Sequence, residues 1–173
     1  MNEQILMDLV DRARNRFYGK YRGTVTQVQI DNGVPRIKAK VPAVLGDQET
    51  GWCLPCVPYA GKDAGIAFLP ETDAGVWIEF EGGDVSFPIW AGCYWHPGEL
   101  PARVAAEVKV IKTPGDQQIV LDDRSDNHMI TITDGSNNTV TLDKNGIKIV
   151  RGRGKIEISD GKVAVNDPAM VVT

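Results

Sequence analysis

The spacing of apolar positions divides this chain of 173 residues into three stretches. In residues 1–17, Ile5, Leu6, Leu9, Val10 and Ala13 recur at helical spacing, which predicts a short N-terminal helix. Asn2 is placed to cap it, and Asp8 with Arg12 forms an i,i+4 pair of opposite charge. A helix this short is marginal in water by itself. It needs a surface to pack on, either the body of its own chain or a docking partner, and both readings stay open.

Residues 18–100 alternate with a period of two. Tyr21-Arg-Gly-Thr-Val-Thr-Gln-Val-Gln-Ile30 reads as a half-buried strand, and Asp31-Asn32-Gly33 as a tight turn. Ile37, Ala39 and Val41 then point one way, Lys38 and Lys40 the other. Val76, Ile78 and Phe80 oppose Trp77, Glu79 and Glu81 in the same manner, Gly82-Gly83-Asp84 turns the chain, and Phe87–Trp95 closes the set. About five short strands with glycine turns predict a small closed barrel of the OB type, which hides its own sheet edges.

After a linker at 101–106, residues 107–173 change character. Very short alternating segments each end in Asp, Asn or Gly. The anchors Val110, Val120, Ile130, Val140 and Ile149 recur nearly every ten residues, and Ile158 and Val165 continue the series at a shorter step. Such a repeat of four- or five-residue strands has too little bulk for a globular centre, and no Phe, Tyr or Trp follows residue 100. Stacking the strands lengthwise, or wrapping several chains around one axis, accounts for it better than a meander that completes a single β domain.

Composition narrows the function. Nineteen basic against 23 acidic residues give a net charge of −4, without the basic surplus of a nucleic-acid binder. No apolar run is long enough to cross a bilayer, and the first residues lack the basic start and apolar core of a secretion signal, so cytoplasmic synthesis is expected. Three cysteines, Cys53, Cys56 and Cys93, do not make a disulfide framework. The Cys53-Leu-Pro-Cys56 pair sits in a proline-broken extended stretch, where small buried thiols are a simpler account than a redox or zinc site.

Catalytic chemistry is thin. Asp122, Asp123 and Asp126 do not have the spacing of a calcium loop, and aspartates at strand ends are ordinary turn formers. Glu79 and Glu81 face solvent together. His96 and His128 have no partners nearby in sequence, and no phosphate-binding glycine loop leads into a helix. Arg151-Gly-Arg-Gly-Lys155 reads as an exposed turn rather than an RNA contact. No enzyme, cofactor or metal is expected.

Several stretches together resemble one family. They are Tyr21–Val44, Gly51–Gly61, Phe68–Pro101 with its Val-Trp-Ile-Glu-Phe strand and Pro-Ile-Trp-Ala-Gly closure, and Lys112–Asp123 with Met129–Ile149. The chain is similar to the central spikes of contractile tails: phage baseplate assembly protein V, the spikes of phage-like injection particles and the corresponding part of the type VI secretion tip. The resemblance implies an all-β protein with an N-terminal helix, an OB-like barrel and an intertwined trimeric β-prism, and a function that is mechanical. It implies a homotrimer whose barrels sit on a tail hub protein, driven through a target envelope on sheath contraction and touching membrane only then. The particle would be tail-like, and virion-associated or extracellular after release.

In that arrangement the seven anchors above become candidates for the trimer core. The apolar end, Ala169, Met170, Val171 and Val172, becomes a docking platform for a PAAR-type cap, or else simply plugs the prism. Members with a lysozyme domain between barrel and prism differ from this chain, which has only a short linker there. The competing reading is a monomeric OB module for an oligonucleotide or glycan, with Tyr59, Phe68, Trp77 and Trp90 as stacking aromatics.

Overall fold

The protein is described from a computed structural model covering residues 3–126, 128–166 and 169–172. The Asn2 cap and the side chains of Asp8, Arg12 and Ala13 lie outside the described residues. The chain forms two compact units that meet in sequence between Glu99 and Leu100.

The first unit opens with α1 (Glu3–Arg14). Its stripe is not covered: Ile5, Leu6, Leu9 and Val10 are all exposed, so this helix does not serve as a lid on its own barrel. Strand β1 (Tyr21–Asp31) turns back through Asn32 and Gly33, both at positive φ, into β2 (Val34–Lys40). That pair of left-handed residues is what a two-residue turn matching strand twist requires. A four-residue helix, α2 (Pro42–Leu45), follows with proline at its start. Then come β3 (Leu54–Pro55), a small hairpin β4 (Ala60–Gly61) and β5 (Ala64–Gly65), then β6 (Gly75–Phe80) and β7 (Pro88–Tyr94).

The main sheet runs β2-β1-β6-β7-β3. Closure comes from the chain around β3. Cys56 N–H donates to the Trp90 carbonyl on β7 (2.7 Å), while Cys53 N–H donates to Ile37 (2.8 Å) and Thr50 N–H to Ala39 (2.9 Å) on β2. A segment with only two strand residues thus joins both sheet edges, which is the OB-like near-barrel expected. Inside lie Val25, Ile37, Ala39, Val41, Cys53, Val76 and Ile78, all fully buried, with Phe80 and Trp90. Each large aliphatic side chain there contributes roughly 1.5–3 kcal/mol. Phe17, Tyr21 and Phe80 meet edge-on at one end, with ring centres 6.0–6.4 Å apart, and Phe17 N–H donates to Gly83 at 2.9 Å. Those contacts fix where α1 leaves the barrel.

The second unit holds eight strands: β8 (Val108–Lys112), β9 (Gln118–Asp122), β10 (Met129–Thr133), β11 (Thr139–Asp143), β12 (Gly146–Arg151), β13 (Gly154–Ser159), β14 (Lys162–Val165) and β15 (Met170–Val172). Each pairs antiparallel with the next, in unbroken chain order. Every ladder partner therefore comes from the same chain. Turns of a few residues return each strand beside its predecessor.

The turns are built locally. Asp134 accepts the Asn138 side-chain amide at 2.5 Å and the backbone N–H groups of Asn138 and Ser136, both at 2.9 Å, and these bonds, the side-chain amide first, hold its carboxyl below the ordinary carboxylate range. At Asn145-Gly146 a Cβ on Gly146 would fall 1.9 Å from the Ile158 carbonyl, so only glycine starts β12 there.

Two expectations follow. A Cβ on Gly75 would lie 2.8 Å from both the Tyr94 ring and its carbonyl. Gly75→Ala should destabilise the barrel by about 1–3 kcal/mol, whereas Gly51→Ala, with nothing nearer than 4.0 Å, should not. Tryptophan fluorescence during urea unfolding reads this cleanly, since every aromatic residue precedes position 100. A depressed carboxyl stabilises the fold above the unfolded pKa, and that contribution disappears as pH falls through the folded value. Asp134→Ala should therefore lower the far-UV unfolding midpoint near neutral pH, and the difference from the parent chain should shrink below about pH 4.

Candidate functional site: an uncovered apolar sheet face

Residues directly opposite each other across a ladder share a face of the sheet. Following the pairing along the second unit therefore sorts its side chains into two faces. Ile119 pairs with Ile111 and Ile132, Val140 with Ile132 and Ile149, and Ile156 with Ile149 and Val165. This row ends at Met170. A parallel row on the same face runs from Leu121 and Ile130 through Leu142, Ile147 and Ile158 to Val163 and Val172. Each strand from β9 onward thus places two apolar side chains on this face, whose charged members are Lys109 at the start of β8 and Arg151 at the end of β12.

The opposite face is of another kind. Thr131, Thr141, Lys148, Glu157 and Ala164 are successive partners along it. Lys148 meets Glu157 at 3.6 Å, and Lys155 meets Glu157 at 2.9 Å. Its first strands are apolar, with Val108 and Val120 buried. The fully buried Asp122 carboxylate there receives Arg124 Nε at 2.9 Å and Nη2 at 2.5 Å. The buried member of the acidic run at 122–126 thus pairs with an arginine.

The apolar face is left open to water. Val140 and Val165 are half-buried, and its other apolar side chains retain exposures from 37% at Leu142 to 58% at Met170. Single exposed aliphatic residues are ordinary, but one apolar row across eight strands beside another across seven forms a patch larger than a soluble monomer normally carries. Of the seven anchors read from the repeat, Ile130, Val140, Ile149, Ile158 and Val165 lie on this face, while Val110 and Val120 lie on the other. At the C-terminal end Met170 and Val172 belong to the last layer of the same face, and both are exposed, as is Ala169. The side chain of Val171 lies outside the described residues.

The remaining candidates are dispersed. Cys53 points into the barrel and Cys56 outward, since three residues along an extended chain reverse the side-chain direction. Burial also pushes the Cys53 thiol up. Glu79 pairs with Lys20, Asp84 with Arg16 at 3.0 Å, and His96 with Glu99 at 3.1 Å. No cluster of three metal-ligating side chains occurs among the described residues. The stacking aromatics do not form one platform. Trp90 is in the core with its Nε1–H on the Gly92 carbonyl, Trp77 is covered by Arg22 and Tyr94, and only Tyr59 and Phe68 are free at the surface.

Two family models match the sequence. Residues 21–95 match the type VI secretion system/phage-baseplate injector OB domain, and residues 108–171 match the phage baseplate V C-terminal trimerisation domain. No curated protein matches the chain. The near-barrel and the one-sided antiparallel sheet fall within these two matches, which together span most of the sequence, and the chain belongs to the phage baseplate V family of structural baseplate proteins.

Proposed function

We propose that three copies of this chain form the central spike of a contractile injection particle, with their second units packed by the apolar faces into a three-sided prism. The observation that carries the reading is the pair of aliphatic rows with nothing over them. Each chain supplies one complete wall, and the walls join by side-chain burial instead of by exchanging strands. Moving an isoleucine that is about two-fifths exposed into such a core gains on the order of 1–2 kcal/mol at 25 cal/mol per Å². Summed over both rows, this outweighs the loss of rotational and translational freedom on association.

The division of labour follows from the two units. The barrel is a broad, closed base suited to sit on a hub protein of the tail tube. The sheet unit has short turns and a continuous ladder, so local opening is rare and the body resists bending under axial load. The last layer, with Ala169, Met170 and Val172, is where a PAAR-type cap would seat. The envelope is contacted as the spike is driven through it.

Light scattering on the purified chain should give a mass about three times 18.9 kDa. Ile149→Glu, on the apolar face, should shift it toward the single-chain mass, while Thr141→Glu, on the other face, should leave it unchanged. A well-folded parent chain that stays monomeric would overturn the prism. Ala169→Arg should preserve the trimer yet abolish co-elution with the cognate PAAR-type protein. Retained co-elution would mean that the cap does not seat on this end.

A further inference from the structure

The two ends of strand β13 (Gly154–Ser159) carry opposite charges that nothing in their own chain matches. Two-residue turns bound this strand, Gly152-Arg153 before it and Asp160-Gly161 after it, since Arg151 pairs with Gly154 and Ser159 with Lys162. Arg153 and Asp160 are both exposed. Among the described residues, neither side chain has a hydrogen-bond or ion-pair partner. Several charges in the other turns are matched within the chain. Lys112 meets Asp116 at 2.8 Å, Lys109 meets Asp123 at 3.6 Å, and Arg124 holds Asp122. Arg151 stands near Asp134 and helps to lower its carboxyl. Arg153 and Asp160 cannot satisfy each other inside one chain, because the six residues of β13 hold them about 20 Å apart.

We infer that Arg153 of each copy pairs with Asp160 of the next copy around the prism, an inference that rests on the trimeric reading above. The ladder stacks the strands along the prism axis, so each strand crosses its wall and its two ends lie at the two margins of that wall. Around a three-fold axis all copies of β13 stand at one height and run in the same sense, so the end of one meets the beginning of the next. Every corner of that layer then brings one arginine to one aspartate, and the ring closes with each Arg153 and Asp160 matched. Glycine at 152, 154 and 161 keeps bulk away from both turns. An exposed pair of this kind adds little to stability, but it fixes which layer of one wall faces which layer of its neighbour. The aliphatic rows do not discriminate between layers in this way, because each layer resembles the last. A slip of two strands at a corner would set Arg153 against Lys144, the like charge that follows β11.

The test uses the full chain with Cys56→Ser and Cys93→Ser to silence the exposed thiols. Arg153→Cys and Asp160→Cys are introduced singly and together. Far-UV circular dichroism verifies the fold and light scattering the mass, and mild oxidation is then followed on non-reducing denaturing gels. The expected result is covalent dimer and trimer from the double variant and from neither single. In the chain with its native cysteines, Arg153→Glu or Asp160→Arg alone should raise the trimer dissociation constant on the order of tenfold. Combining the two should return it to within about threefold of the parent value. At trimeric mass, four outcomes overturn the inference and leave the prism standing: no cross-link, a cross-link confined to the monomer band, cross-linking by either single variant, or charge reversals whose losses simply add. A monomeric mass for the parent chain means that the trimer itself has failed, and the inference with it.

Discussion

An antiparallel ladder satisfies backbone hydrogen bonds regardless of what its two faces carry, and that separation governs this molecule. In the second unit the ladder is complete within one chain, so the backbone asks nothing of a partner except at the two edge strands. The side chains ask for a great deal, because one face carries aliphatic rows from β8 to β15, broken only by Lys109 and Arg151 at its margins. Secondary structure is thus local and early, while burial is collective. The barrel solves the same problem alone: its sheet curls until Glu49–Cys56 bonds to both edges and the apolar face becomes an interior.

This contrast explains the distribution of residue types. The barrel must fill a closed volume from one chain, and it uses bulky rings for that, with Phe17, Tyr21 and Phe80 at one end and Trp90 inside. The sheet unit contains no aromatic residue. Isoleucine, valine and leucine keep each layer the same thickness, as stacking at a constant strand spacing demands. Threonine, lysine and glutamate on the other face suit solvent and keep that face from associating.

Much of the barrel could be read from alternation. Ile37, Ala39 and Val41, and Val76, Ile78 and Phe80, are all inward as their period predicts, because one side of each strand is wet and the other dry. The short helix Pro42–Leu45 escaped that reading, being too brief for periodicity and marked only by its proline. The ten-residue repeat likewise announced the stack of strands, but not which side chain of each strand faces inward. Val110 and Val120 look like core anchors because β8 and β9 are apolar on both faces. The faces become distinguishable only from β10 onward, where Thr131, Thr141, Lys148 and Glu157 mark the wet side. For α1 the pattern revealed the stripe without its partner, since a helix face carries no record of what covers it.

The strict chain-order meander has a further consequence for size. Seven steps of about 4.8 Å stack the eight strands over roughly 34 Å, and each layer repeats the same pair of inward aliphatic side chains. Adding or removing one hairpin, about twenty residues, would change that distance by about 10 Å and leave the cross-section untouched. The unit therefore behaves as a ruler with a fixed graduation. In the proposed prism, duplicating or deleting hairpins would change the reach without altering the packing between walls.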